Sequence, residues 1–135
     1  MKNSFCGRIR GTRETRALPF FYHSDGFIEP VISELIEIGI DVLNPIQPEC
    51  MNPAKIKRLY GDELSFFGTI GVQTIMPFGT PKDVRRAVRE MIEKVGQGGG
   101  FIIAPTHFVP VEVPWENVQA FFDAVEEFGQ YHLGC

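Results

Sequence analysis

Two of the three histidines in this 135-residue chain stand where an apolar run gives out. Phe20-Phe21-Tyr22 stops at His23-Ser24-Asp25-Gly26, and Phe101-Ile102-Ile103-Ala104-Pro105 stops at Thr106-His107. A buried parallel strand ends in this way when it delivers side chains to a working face. Imidazole and carboxylate suit zinc, iron or manganese. His23, Asp25 and His107 are therefore the candidate ligands of a divalent metal, with positions left open for substrate. Imidazole titrates near neutrality, so a histidine here can also act as a general acid or donate to a substrate carboxylate; His107 is the candidate catalytic residue. The plainer alternative is that Asp25 caps the next helix and the histidines hydrogen-bond within the packing. His132 lies in the C-terminal tail and is expected to face solvent.

Further polar residues follow the other strands. Asn44, Gln47 and Glu49 come after the second strand and Gln73 after the third, on loops that would face the same mouth. Asn44, Gln47 and Gln73 are candidate substrate-binding residues, as is Tyr22 beside His23. Tyr22 and Phe108 have the ring faces to stack on a flat ligand, with packing as the competing role.

Positioning these groups requires strands that alternate with helices. Residues 1–17 carry neither periodicity and read as an irregular arm, and the composition changes at Leu18. A first strand is expected over Leu18–Tyr22. A helix follows over Phe27–Ile38, with Ile28, Val31, Ile32, Leu35 and Ile36 on one face, and Gly39 ends it. The second strand is Asp41–Asn44. Asn52 and Pro53 open a short helix that stops at Gly61. The third strand is Leu64–Thr69, followed by a loop through Ile70–Gly79. Thr80, Pro81 and Asp83 mark the clearest helix start in the chain, and Val84, Ala87, Val88, Met91, Ile92 and Val95 form its apolar stripe. The fourth strand, Phe101–Pro105, precedes a helix near Pro114–Phe128 that would bury Trp115, Val118, Phe121, Phe122 and Val125. Four strand–helix units predict an α/β fold with a parallel sheet, half of a (β/α)₈ barrel. Gly98-Gly99-Gly100 precedes a strand, whereas a phosphate-binding loop follows one, so no phosphate cradle is read there.

Charge is unevenly spread. The arm holds five basic residues against Glu14, while the remainder holds eight basic and sixteen acidic ones. An acidic body repels polyanions, so neither nucleic acid nor a membrane surface is an expected partner. Three widely spaced cysteines without a CxxC fit reduced thiols better than a disulfide framework. No apolar stretch suits a membrane span or a secretory signal, which makes cytoplasmic the expected location.

Read in order, Phe67-Gly68-Thr69-Ile70-Gly71, Pro77-Phe78-Gly79-Thr80-Pro81, Gly98 to His107 and Val113-Pro114-Trp115-Glu116-Asn117 resemble the uroporphyrinogen decarboxylase family, which includes the corrinoid-dependent methyltransferases. The resemblance runs from about Leu18 to Gly129 and implies the last four units of a (β/α)₈ barrel, so that residues 18–135 form a C-terminal half-barrel. It implies a cytosolic enzyme that either decarboxylates a tetrapyrrole or transfers a methyl group carried by a corrinoid, the corrinoid being substrate or partner. His107 matches the decarboxylase histidine that contacts substrate at the end of the last strand. In the methyltransferase branch that place holds a zinc-binding cysteine, and the earlier strand ends in His-x-Cys; here the motif reads His23-Ser24-Asp25. The substrate-holding arginines and the catalytic aspartate of the decarboxylases belong to the front half, so this chain alone is expected to show little or no turnover. A half-barrel also leaves two strand edges unpaired. The expected partner is therefore a second copy, giving a homodimer, or a separate N-terminal half-barrel. In the alternative reading the chain is a non-catalytic module that closes a barrel.

Overall fold

The computed structural model describes residues 18–130. Within it, alternation along the strands sorts side chains onto two faces. Strand β1 (Phe21–His23) pairs in parallel with β2 (Val42–Asn44), β2 with β3 (Ser65–Phe67), and β3 with β4 (Phe101–Ile102). The sheet order is β1-β2-β3-β4, with an additional bridge between Ile70 and Pro105. Leu43 and Phe66 point from the middle strands into the helix layer and are fully buried. A Phe66→Ala change there would cost about 3–5 kcal/mol.

Helices cover that one face. A 3₁₀ turn (Glu29–Val31) leads into α1 (Ile32–Glu37); α2 is Pro53–Tyr60, α3 Ile75–Phe78, α4 Pro81–Val95 and α5 Trp115–Phe128. Asn52 caps α2 by accepting a hydrogen bond from the Lys55 N–H. Thr80 and Asp83 form a reciprocal capping box at α4. Two core clusters result: one joins Ile32, Leu35, Ile36, Leu43, Ile56 and Phe66, and the other joins Ile70, Met76, Val84, Val88, Phe121 and Ala124.

The strands are shorter than the apolar runs suggest, although single interstrand bonds such as that from the Gly68 N–H to the Ile102 carbonyl continue past their ends. Residues 75–78, read as loop, form α3, which the buried Asn117 fixes by donating to the carbonyls of Met76 and Gly79, each at 2.8 Å. Three residues expected in the core face outward instead: Val31 is 47% exposed, Trp115 66% and Phe122 64%. Phe121 and Phe122 are neighbours about 100° apart around α5, so only one can face the core; Phe121 does.

Four parallel strands with helices on one side make half of an eight-stranded barrel. The other face is concave and carries Phe21, His23, Asn44, Phe67 and Ile102. Phe21 and Phe67 meet edge-on at 5.5 Å. No helix among the described residues is long and apolar enough to cross a membrane.

Candidate functional site

His23 is the last residue of β1, and its partner in the parallel register is Asn44, the last of β2. Residues in register on adjacent strands share a face, and the two side chains meet: His23 Nδ1 lies 2.5 Å from Asn44 Oδ1. The Asn44–Pro45 peptide is cis. Past His23, the Ser24 N–H donates to the Asn44 carbonyl at 2.9 Å. The chain then turns at Gly26, whose φ of +86° suits a residue without a side chain. The Gly26 N–H donates to Gln47 Oε1 at 2.6 Å, and this turn brings Asp25 back beside His23. Asp25 Oδ2 stands 3.5 Å from His23 Nε2.

His107 arrives from the far strand. After β4, the Thr69 and Ile70 N–H groups donate to the Ala104 carbonyl, and the Thr106 N–H returns a bond to the Ile70 carbonyl at 2.9 Å. The buried Thr106 hydroxyl accepts from the Val72 N–H at 3.3 Å. These bonds fix the strand end, and the next side chain, His107, turns toward the mouth. Its ring meets that of His23 at 5.9 Å between centroids and that of Phe108 at 5.0 Å. One donor atom from each of His23, Asp25 and His107 lies within 4.8 Å of the others, and all three residues are exposed. His23 and His107 border an open groove of about 530 Å³ lined also by Asn44, Phe67, Ala104 and Val109.

The donor set fits a divalent metal. In a tetrahedral site with bonds near 2.0–2.1 Å, neighbouring donor atoms sit roughly 3.3 Å apart, close to the 3.5 Å between His23 Nε2 and Asp25 Oδ2. His23 also has an acceptor at each ring nitrogen, Asn44 Oδ1 on one side and Asp25 Oδ2 on the other. A neutral imidazole carries one N–H and satisfies one of them, and a metal ion between the other nitrogen and Asp25 Oδ2 would satisfy both. Asp25 caps no helix: the cap position of the following 3₁₀ turn is Ile28, without a side-chain cap.

The other candidate residues divide. Asn44 is at the site, but its amide is used by His23 and by the Phe67 carbonyl, to which Nδ2 donates at 3.2 Å. Gln47 is buried and pins the Gly26 turn. Tyr22 is not brought to the groove. Strand alternation sends it to the opposite face, where it packs against the first core cluster. Gln73 is exposed and does not line the groove. Glu49 joins two loops by accepting from the Thr74 hydroxyl at 3.0 Å, and its carboxylate packs against Gly71. His132 and residues 1–17 lie outside the described residues. Thr106 and Gly68 were not read as contributors. A small polar residue next to His107 was the available signal for Thr106; Gly68 gave none beyond its type.

A family model for uroporphyrinogen decarboxylase (URO-D) matches residues 4–128. The chain belongs to the uroporphyrinogen decarboxylase family. The match begins within the basic arm and continues to the end of α5. A uroporphyrinogen decarboxylase from Pseudoalteromonas translucida (strain TAC 125) is 32% identical over 83 residues, which is 61% of this chain and 23% of the relative. Another, from Psychromonas ingrahamii (strain DSM 17664 / CCUG 51855 / 37), is 31% identical over 81 residues, 59% of this chain and 22% of the relative. Among solved structures, a methyltransferase from Methanosarcina mazei superposes with a TM-score of 0.69 at 23% identity, over 84% of this chain and 32% of that one. That likeness supports the fold. The chain spans less than a quarter of the length of the curated relatives and about a third of the solved structure.

Proposed function

We propose that this chain supplies a metal-binding working face to a uroporphyrinogen decarboxylase-family barrel, with His23, Asp25 and His107 as the protein ligands of zinc, iron or manganese. The observation that carries the reading is the convergence of one donor atom from each residue within 4.8 Å, at the C-terminal end of the sheet. All three donors are exposed and the two histidines border the open groove, so a bound metal would keep positions for a substrate atom. A divalent metal supplies Lewis acidity there, polarising or holding an oxygen or sulfur of the substrate. The protein's own part is to hold the His23 ring by the Asn44 bond and to fix, by the strand-end bonds, the backbone that carries His107. The groove's apolar wall of Phe67, Ala104, Phe108 and Val109 suits the face of a tetrapyrrole or corrin. Methyl transfer from a corrinoid is the favoured chemistry, since the donor set lies on the strand ends where the methyltransferase branch carries zinc; tetrapyrrole decarboxylation is the second. The chain alone is expected to turn over neither.

The test is thermal. With zinc, manganese or ferrous iron at a hundredfold excess over Kd, the melting temperature should rise by on the order of 10 °C. No shift with any of the three at millimolar concentration would sink the metal reading.

A second reading concerns assembly, and the exposed concave face favours it: Phe21 is 49% exposed and Ile102 54%. Apolar strand residues in that setting call for a covering layer. In this reading a second copy closes the barrel and gives the groove its other wall.

A further inference from the structure

We propose that Asn44 is a positioning residue for His23: it fixes the imidazole as the Nδ1–H tautomer and so reserves Nε2 as the donor that faces the groove. The proposal rests on the metal-binding reading only for what Nε2 then holds. Asn44 is 6% exposed, and its amide has two partners of fixed chemistry. On one side lies the Phe67 carbonyl at 3.2 Å, which can only accept. The Asn44 NH₂ must face it; the flipped amide would set two carbonyl oxygens against each other. Oδ1 is thereby directed at His23 Nδ1, 2.5 Å away, and an acceptor at that distance requires the ring hydrogen on Nδ1. One N–H is all a neutral imidazole carries, which leaves the lone pair on Nε2, the atom 3.5 Å from Asp25 Oδ2. A histidine ligand oriented through its other ring nitrogen is a recurrent device of metal sites.

The backbone makes room for this arrangement. A Cβ on Gly68 would come within 3.3 Å of Asn44 Nδ2 and 3.2 Å of the Pro105 carbonyl. The φ of +76° at Gly68 also disfavours a side chain. The parallel register sets Asn44 opposite His23. Three strands thus contribute to one imidazole: His23 from β1, the amide from β2 and the locking carbonyl from β3.

The experiment is ¹⁵N NMR of the whole chain with labelled imidazoles, metal-free and at alkaline pH, the His23 signals being assigned by their loss in His23→Gln. In the unmodified protein, a pyrrole-like Nδ1 and a pyridine-like Nε2 are expected; a predominant Nε2–H tautomer overturns the proposal without recourse to any variant. Asn44→Val removes the acceptor at Nδ1 and should release the tautomer. Zinc affinity should fall roughly 10- to 100-fold in Asn44→Val. Equal zinc affinity in Asn44→Val and the unmodified chain would count against the positioning role. If the tautomer is found and no metal binds, the metal reading fails and the Asn44 assignment stands. If metal binds and the tautomer is the other one, the Asn44 assignment alone falls.

Discussion

At the scale of single residues, His23 stands between two acceptors, one at each ring nitrogen. Asn44 Oδ1 takes one ring N–H, and the Asp25 carboxylate faces the remaining nitrogen across 3.5 Å. Removing His107 leaves His23 and Asp25 as the two remaining donors of the cluster. His107→Ala should therefore weaken zinc binding by on the order of a hundredfold, measured by competition with a chromogenic chelator. Gln73→Ala, at a residue outside the donor cluster and the groove lining, should leave the affinity unchanged; equal losses in both variants would show that the metal binds elsewhere. That His23, Asp25 and His107 stand close together was legible in the sequence, because ionisable side chains that end apolar parallel strands collect at one end of the sheet. Tyr22 was misplaced for a reason also present in the sequence. If His23 faces the mouth, strand alternation turns Tyr22 to the helix side, where it packs on the core. The role of Asn44 was not legible, since it depends on a register between strands 21 residues apart.

At the scale of elements, start signals written in local chemistry were readable, and features set by distant partners were not. Thr80-Pro81-x-Asp83 is self-contained, and α4 begins there as expected. The short α3 depends on Asn117, roughly forty residues later, for its capping contacts, and no local pattern announces it. The α4 cap gives a pH prediction. The Thr80 hydroxyl and then the Thr80 N–H donate to the Asp83 carboxylate, with Arg86 adding a smaller contribution, and its pKa is lowered. A carboxyl whose pKa is lower in the folded state adds stability above its unfolded value, near 3.9, and loses it as pH falls toward the folded one. The melting temperature of Asp83→Asn should therefore lie below that of the unmodified chain at pH 7, and the gap should narrow below about pH 4. A gap that stays constant down to pH 2 would mean that the charge on Asp83 contributes nothing. Thr80→Ala, which removes the cap itself, should cost about 1 kcal/mol.

At the scale of the molecule, four parallel strands close a barrel only with four more, and the surfaces beside the two open edges show what a second copy would meet. Two-fold closure sets β4 of one copy beside β1 of the other, so α5 lies against the other copy's α1. Both helices expose apolar groups: Val31 and Ile38 at α1, and Trp115 and Phe122 on α5. Both are also acidic. α1 exposes Glu34 and Glu37 and has no basic residue. α5 exposes Glu116, Asp123, Glu126 and Glu127 and likewise has none. Of these, Glu127 is paired, with Arg85. Burial of the apolar groups would drive association and the like charges would oppose it, the opposition fading as salt shortens the Debye length from about 30 Å at 0.01 M to about 8 Å at 0.15 M. Light scattering should then read a dimer whose dissociation constant falls as salt is raised, opposite to an interface held by ion pairs. Ile102→Glu, placing a charge on the concave face, should shift the chain toward monomer at every salt concentration. A chain that stays monomeric at high protein concentration in 0.5 M salt, yet melts cooperatively, would remove self-closure as the assembly reading while leaving the metal site on β1 and β4 to stand or fall on its own test.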